Sequence, residues 1–120
     1  MDWQITDGRP VWLQLKEQLA MGILTGAYPP GSRLPSVREL AMDAGVNPNT
    51  MQRALTELER DGLAYSIGTT GRVVTQERKT IDQLREQSAK SVVERYLESM
   101  KQLGYTAAEA VKVLEEWSYE

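Results

Sequence analysis

Apolar residues fall into helical rhythm after Pro10, where Trp12, Leu15, Leu19 and Ile23 recur at steps of three and four as far as Thr25-Gly26. That spacing lines one stripe of a 3.6-residue helix, with the proline in its first turn and the glycine at its end. The rhythm breaks at Tyr28-Pro29-Pro30-Gly31-Ser32-Arg33-Leu34-Pro35. Three prolines and a glycine there exclude regular structure and predict an extended, turning link. Ser36 then stands three residues ahead of Glu39, a capping box that opens a short helix with Leu40 and Ala41 inward and Ala44-Gly45 at its stop.

Val46-Asn47-Pro48 restarts the chain, Asn47 as N-cap and Pro48 at the first helical position. Met51, Ala54, Leu55 and Leu58 form the buried stripe as far as Asp61-Gly62, and the opposite face reads Asn49, Gln52, Arg53, Thr56 and Arg60. Two short helices across a Gly45-Val46-Asn47 turn are the sequence form of a helix-turn-helix, whose third chain helix spans about residues 48–61. Beyond Gly62, Leu63–Ile67 and Arg72–Thr75 read as two strands around Gly68-Thr69-Thr70-Gly71, a hairpin wing over about residues 63–75.

A charged junction, Gln76 to Thr80, leads into the rest of the chain. Ile81, Leu84, Val92, Tyr96, Met100 and Leu103 recur along a helix that ends at Gly104, and Val93 and Leu97 widen its stripe. Thr106 with Glu109 supplies a second capping box, and Ala107, Ala110, Val111, Leu114 and Trp117 share one face of a last helix. The expected fold is mainly α with a small β-hairpin: a winged helix-turn-helix domain over residues 1–77, then a two-helix dimerisation tail over residues 78–120. Two helices of this size cannot enclose a core. Their stripes must pack on the first domain or on a second copy of the chain, and Ile81, Leu84, Val92, Tyr96, Met100, Leu103, Val111, Leu114 and Trp117 are the expected homodimer contacts.

Composition narrows the chemistry. The 120 residues are 41% hydrophobic and 26% charged, with no cysteine and no histidine. A chain this short excludes a multidomain enzyme. The missing residue types remove thiolate metal sites, cysteine nucleophiles and every histidine-dependent triad, so no cofactor, no metal and no enzymatic activity are expected. The polar, acidic start Met1-Asp2-Trp3-Gln4-Ile5-Thr6 and the lack of a long apolar run point to a cytoplasmic protein with no membrane partner. Net charge is −3, with seven basic and nine acidic residues in 1–77 and seven and eight in 78–120. Any binding of nucleic acid must therefore use a local cluster of positive charge together with base readout and dimerisation, not bulk attraction.

A winged helix-turn-helix can lay its third helix in the major groove and touch neighbouring backbone with the hairpin. Arg38 can pair bidentately with phosphate or a guanine edge; the alternative is an exposed arginine paired with Glu39 or Asp43. Asn47, Asn49 and Thr50 sit beside backbone amides expected to be free, which suits phosphate anchoring, although Asn47 can equally be only a cap. Gln52 and Arg53 point outward one turn on and can read adenine and guanine or clamp phosphate. The alternative for them is a solvated helix face.

Leu34-Pro35-Ser36-Val37-Arg38-Glu39-Leu40-Ala41, Gly45-Val46-Asn47-Pro48-Asn49-Thr50-Met51-Gln52-Arg53-Ala54-Leu55 and Leu58-Glu59-Arg60-Asp61-Gly62-Leu63 together resemble the GntR family of bacterial transcription regulators. The Pro-Ser-x-Arg-Glu-Leu and Asn-Pro-Asn-Thr-x-Gln-Arg-Ala stretches, with a tail of about 45 residues, are similar to its YtrA-like subfamily. The resemblance implies that Arg38, Asn49, Thr50 and Gln52 contact double-stranded operator DNA and that Arg53 supports them. Ser36 and Asn47 complete the expected DNA-facing set on the helices, and Thr69, Gly71 and Arg72 complete it on the wing. Pro48 stands where other branches of the family carry an arginine that reads bases, so their reading mode does not transfer. The wing also departs from the pattern, with Ile67-Gly68 in place of basic residues before the tip and Arg72 as its sole cation. A hairpin that mainly completes the fold is the other reading of that segment.

The implied function is a homodimeric repressor on an inverted-repeat operator, often near an operon for a membrane transporter. A small-molecule effector of unknown identity would have to bind at the dimer interface or between the tail and the winged domain, and Trp12, Tyr65, Tyr96, Tyr105 and Trp117 are candidate lining residues or plain packing residues. Two rivals stand beside this reading. One is a winged-helix module that binds protein and no DNA, favoured by the acidic pI and the weakly basic wing. The other is a carboxylate hydrolase using a pair such as Glu39 and Asp43, which no motif supports. Pairing of Arg38, Gln52 or Arg53 with acids of the same chain would favour the first rival.

Overall fold

The computed structural model describes residues 1–69 and 71–117. In chain order the elements are α1 (Val11–Leu24), α2 (Val37–Ala44), α3 (Pro48–Arg60), β1 (Ala64–Ser66), β2 (Arg72–Val74), α4 (Arg78–Gln102) and α5 (Ala107–Glu115). The chain divides into two units, Met1–Gln83 and Leu84–Glu120. No helix among the described residues is long and apolar enough to cross a membrane.

In the first unit α1 and α2 both pack on α3, and β1 leans on α3 from the other end. The stripes expected from the sequence meet in one core: Leu15, Leu19 and Ile23 from α1, Leu40 and Ala41 from α2, Met51, Ala54, Leu55 and Leu58 from α3. Leu34, Leu63, Val73 and Val74 close it from the hairpin side. Burial of this many aliphatic side chains, each worth about 1.5–3 kcal/mol, is what holds three short helices together. The turn between α2 and α3 depends on Gly45, whose φ of 70° lies in the left-handed region. Its amide and that of Val46 close on the carbonyls of Met42 and Ala41 at 3.3 and 3.0 Å, which ends α2 and frees the chain to restart two residues later.

The proline-rich link is more regular than its composition suggests. Arg33 forms an isolated antiparallel bridge with Val73, with Leu34 N donating to Arg72 O at 2.9 Å and Val74 N to Ser32 O at 2.8 Å. The link thus lies along β2 as a short third strand. Proline lacks only its own N–H, and Pro29, Pro30 and Pro35 flank this pairing without supplying any of its donors. β1 and β2 pair antiparallel with Tyr65 opposite Val73 and Ser66 opposite Arg72.

The segment ahead of α1 is anchored by two glutamines. Gln14, buried although polar, accepts from Thr6 N at 2.8 Å and donates to Thr6 O at 2.8 Å and Arg9 O at 3.0 Å. Gln18 brackets Gln4 in the same way, accepting from its N–H at 2.9 Å and donating to its carbonyl at 2.8 Å. Sequence periodicity counts Gln14 as polar and misses it; its burial is tolerable because both ends of its amide are satisfied.

In the second unit Thr106 and Glu109 form the expected capping box at the start of α5. Tyr96 Oη donates to Ala110 O at 2.6 Å, joining the later part of α4 to α5. Ala110 is the one buried apolar side chain of this unit among the described residues.

Candidate nucleic-acid interface

The α2 N-terminus is built by Ser36. Its Oγ accepts from Glu39 N at 3.1 Å while Glu39 Oε1 accepts from Ser36 N at 3.3 Å, so the glutamate is held back along its own helix. Asp43, near the end of the same helix, is held from elsewhere: Trp3 Nε1 donates to its Oδ2 at 2.8 Å and the Met1 ammonium lies 3.3 Å from the same oxygen. The indole hydrogen bond, then the ammonium, holds the Asp43 carboxyl below the usual aspartate range. Glu39 and Asp43, the two acids of α2, thus each have a partner other than Arg38. Arg38 is exposed, and no ion pair among the described residues includes it.

On α3, Asn47 Oδ1 accepts from Asn49 N at 2.7 Å, so Asn47 is a cap. Thr50 N turns to Asn47 O at 3.0 Å, and Pro48 has no N–H. The free backbone amides expected at this helix start are accordingly not there. A phosphate would have to be held by side chains, including the Asn47 amide hydrogens, which capping leaves open. Asn49, Gln52, Arg53 and Thr56 are all exposed and Thr50 is half-buried. Gln52 Nε2 lies 3.5 Å from Thr56 Oγ1, which leaves its carbonyl oxygen open. Arg53 lies over the ring of Trp12 of α1, its guanidinium carbon 4.2 Å from the ring centroid. Neither Gln52 nor Arg53 pairs with an acid among the described residues.

The wing is arranged differently. Arg72 Nε donates to Glu59 Oε1 at 2.9 Å, and Ser66 Oγ donates to the same oxygen at 2.6 Å. With its side chain only 15% exposed, Arg72 ties the hairpin to α3 and does not join Arg38 and Arg53 as an open cation. Thr69 is exposed at the tip and Gly71 has a φ of 128°. Thr70, the other tip threonine expected to donate, lies outside the described residues.

Among the expected dimer contacts, Ile81 is 6% exposed and completes the core of the first unit. Its side chain is thus already covered within the single chain, whereas the sequence stripe runs through α4 without marking where its surroundings change. Leu84, Tyr96 and Met100 are half-buried, whereas Val92, Leu103, Val111, Leu114 and Trp117 are exposed, along with Val93 and Tyr105. Of the aromatics considered for an effector, Trp12 is covered by Arg53 and Tyr96 is bonded to Ala110.

Two contributors escaped the sequence reading. Trp3 donates to Asp43, and Trp12 lies under Arg53; a tryptophan in an amphipathic stripe reads as core, and nothing in periodicity tells which face of the ring a cation will use.

Residues 12–74 match the family profile described as bacterial regulatory proteins, gntR family. Over 112 residues the chain is 34% identical to YhcF, named an uncharacterized HTH-type transcriptional regulator of Bacillus subtilis, covering 93% of each protein. A solved GntR family transcriptional regulator from Listeria monocytogenes superposes with a TM-score of 0.84 at 33% identity, covering 95% of this chain and 100% of that one. The DNA-binding domain of AraR, solved in complex with operator ORX1, gives a TM-score of 0.54 at 28% identity over 62% of this chain and 92% of that one. The fold, the helix-turn-helix built from Ser36 to Arg60 and these likenesses lead to one assignment: the chain belongs to the GntR family of bacterial regulatory proteins.

Proposed function

We propose that this chain is a sequence-specific DNA-binding transcription repressor, of the YtrA-like kind, that acts as a homodimer on an inverted-repeat operator. The observation that carries the reading is Arg38, an exposed guanidinium at the start of α2 that takes part in no ion pair among the described residues. A basic side chain kept unneutralised beside the exposed α3 face of Asn49, Gln52, Arg53 and Thr56 is what an anionic duplex requires of a protein whose net charge is negative. The likeness of the first unit to an AraR domain bound to operator DNA supports the same reading. So does a length matched nearly end to end by a named regulator, which supports the short-tailed subfamily.

In this reading residues 1–77 are the DNA-binding domain. Arg38, Asn49, Thr50 and Gln52 make the base and phosphate contacts, Arg53 clamps phosphate, Ser36 and Asn47 contribute their remaining hydrogens, and Thr69 and Gly71 at the wing tip approach backbone. Residues 78–120 supply the dimer contacts through Leu84, Val92, Tyr96, Met100, Leu103, Val111, Leu114 and Trp117, five of which are exposed in the single chain. Pairing two copies doubles the contacts and fixes the half-site spacing.

Footprinting of the full chain on the DNA upstream of its own gene tests this. Protection of two half-sites about 10 base pairs apart, centre to centre, or a multiple of that spacing, is expected. Protection no stronger than on random DNA would contradict it and favour the module that binds protein.

A further inference from the structure

The side chain of Arg53 could have been anchored by an acid, as Arg9 is by Glu17 and Arg60 by Glu57. It is instead laid on the face of an indole. An ion pair fixes an arginine but cancels its charge and occupies its N–H edges. A ring face fixes the guanidinium through its π surface, leaving the charge intact and all the in-plane donors open. Trp12 offers that face from α1, the helix that packs on α3, and is itself half-buried. Thr56 carries no charge, and Glu57, four residues on along α3, pairs with Arg60 at 3.2 Å rather than with Arg53.

We propose that Trp12 is a positioning residue for DNA binding: its indole face preorganises the Arg53 guanidinium as an unneutralised cation at the exposed face of α3, where it clamps a backbone phosphate. Ordering a flexible arginine before the duplex arrives removes part of the entropy cost of ordering it on binding. Because a phosphate carries no base identity, the effect extends to non-specific DNA. The inference rests on the DNA-binding reading above and adds to it a residue outside the helix-turn-helix itself.

A double-mutant cycle in the full chain tests it, using Trp12→Phe, Trp12→Leu, Arg53→Ala and the Trp12→Leu/Arg53→Ala pair. Binding is measured by anisotropy over a salt series to the duplex upstream of the chain's own gene and to a random duplex of equal length, with melting curves for each variant. Trp12→Leu keeps apolar bulk and loses the ring. It is expected to weaken binding about three- to fivefold to both duplexes and to flatten the salt dependence by up to about one unit of slope. Trp12→Phe, which keeps a ring face, restores most of the loss, and the pair binds no worse than Arg53→Ala alone. Additive losses, or a Trp12→Leu protein that is folded and binds like the unsubstituted chain with an unchanged slope, would overturn the positioning role while leaving the DNA reading intact. An unsubstituted chain that binds neither duplex would overturn both.

Discussion

The indole nitrogen of Trp3 donates a 2.8 Å hydrogen bond to Asp43 Oδ2, which ties the chain's first residues to the outer end of α2 and keeps an acid occupied five positions beyond Arg38. The bond favours the ionised carboxylate, so the folded-state pKa of Asp43 lies below its unfolded value. Its contribution to stability is therefore fully present above about pH 4 and is lost as the pH falls through the folded value. Trp3→Phe is expected to raise the Asp43 pKa toward the ordinary value in an NMR titration of its side-chain carboxyl carbon, and to make the acid limb of a stability-against-pH curve shallower. An unmoved Asp43 pKa would show that the hydrogen bond is not what lowers it.

Glu59 joins the wing to α3 by accepting from both Ser66 and Arg72. Arg72 is largely buried, so losing its partner leaves a guanidinium with one donor unsatisfied in a poorly hydrated place. Glu59→Ala is expected to lower stability by about 1–3 kcal/mol in urea unfolding. A midpoint unchanged from the unsubstituted protein would mean that the bond exchanges with water at no cost.

Gly22 sits inside α1, where an added Cβ would lie 2.7 Å from Tyr28 Cδ2 and 2.8 Å from Cε2. Alanine is the better helix former by about 1 kcal/mol, while overpacking costs about 1–3 kcal/mol. Tyr28 is held to this turn by its own N–H, which donates to Gly22 O at 3.0 Å, so the ring has little room to withdraw. Gly22→Ala is expected to be destabilising by about 1 kcal/mol net in thermal or urea melts. A gain in stability would show that the ring yields.

Leu114 is 57% exposed on α5, so a charge there disturbs little within one chain but opposes burial against a second. Leu114→Asp is expected to convert a dimer to a monomer in sedimentation while the melting of the first unit is unchanged. A dimer that persists would remove this face of α5 from the interface.

Most of the fold was legible because local signals agreed with one another. Both serine or threonine caps with glutamate three residues on became capping boxes, Gly45 became the left-handed stop, and the stripes of α1, α2 and α3 became one core. What escaped depends on distant partners. Nothing local to Gln14 marks it as buried, since its satisfaction comes from Thr6 and Arg9 folding back. The link at Gly31–Leu34 reads as irregular because its hydrogen bonds run to β2, some 40 residues on. The candidate interface was legible in residue type but not in state: sequence placed Arg38, Arg53 and Arg72 together, whereas Glu59 holds Arg72, Trp12 lies under Arg53, and Arg38 is exposed with no ion pair among the described residues.

Arg38, exposed and in no ion pair among the described residues, is the side chain on which DNA binding is expected to depend most. Fluorescence anisotropy of the full chain on the duplex upstream of its own gene, at low and near-physiological salt, with Arg38→Ala alongside, tests it most directly. Tight, salt-dependent binding by the unsubstituted chain is expected, weakened at least about tenfold in a folded Arg38→Ala protein. Equal affinities for the two proteins, or binding by the unsubstituted chain no tighter than to random DNA, would contradict it.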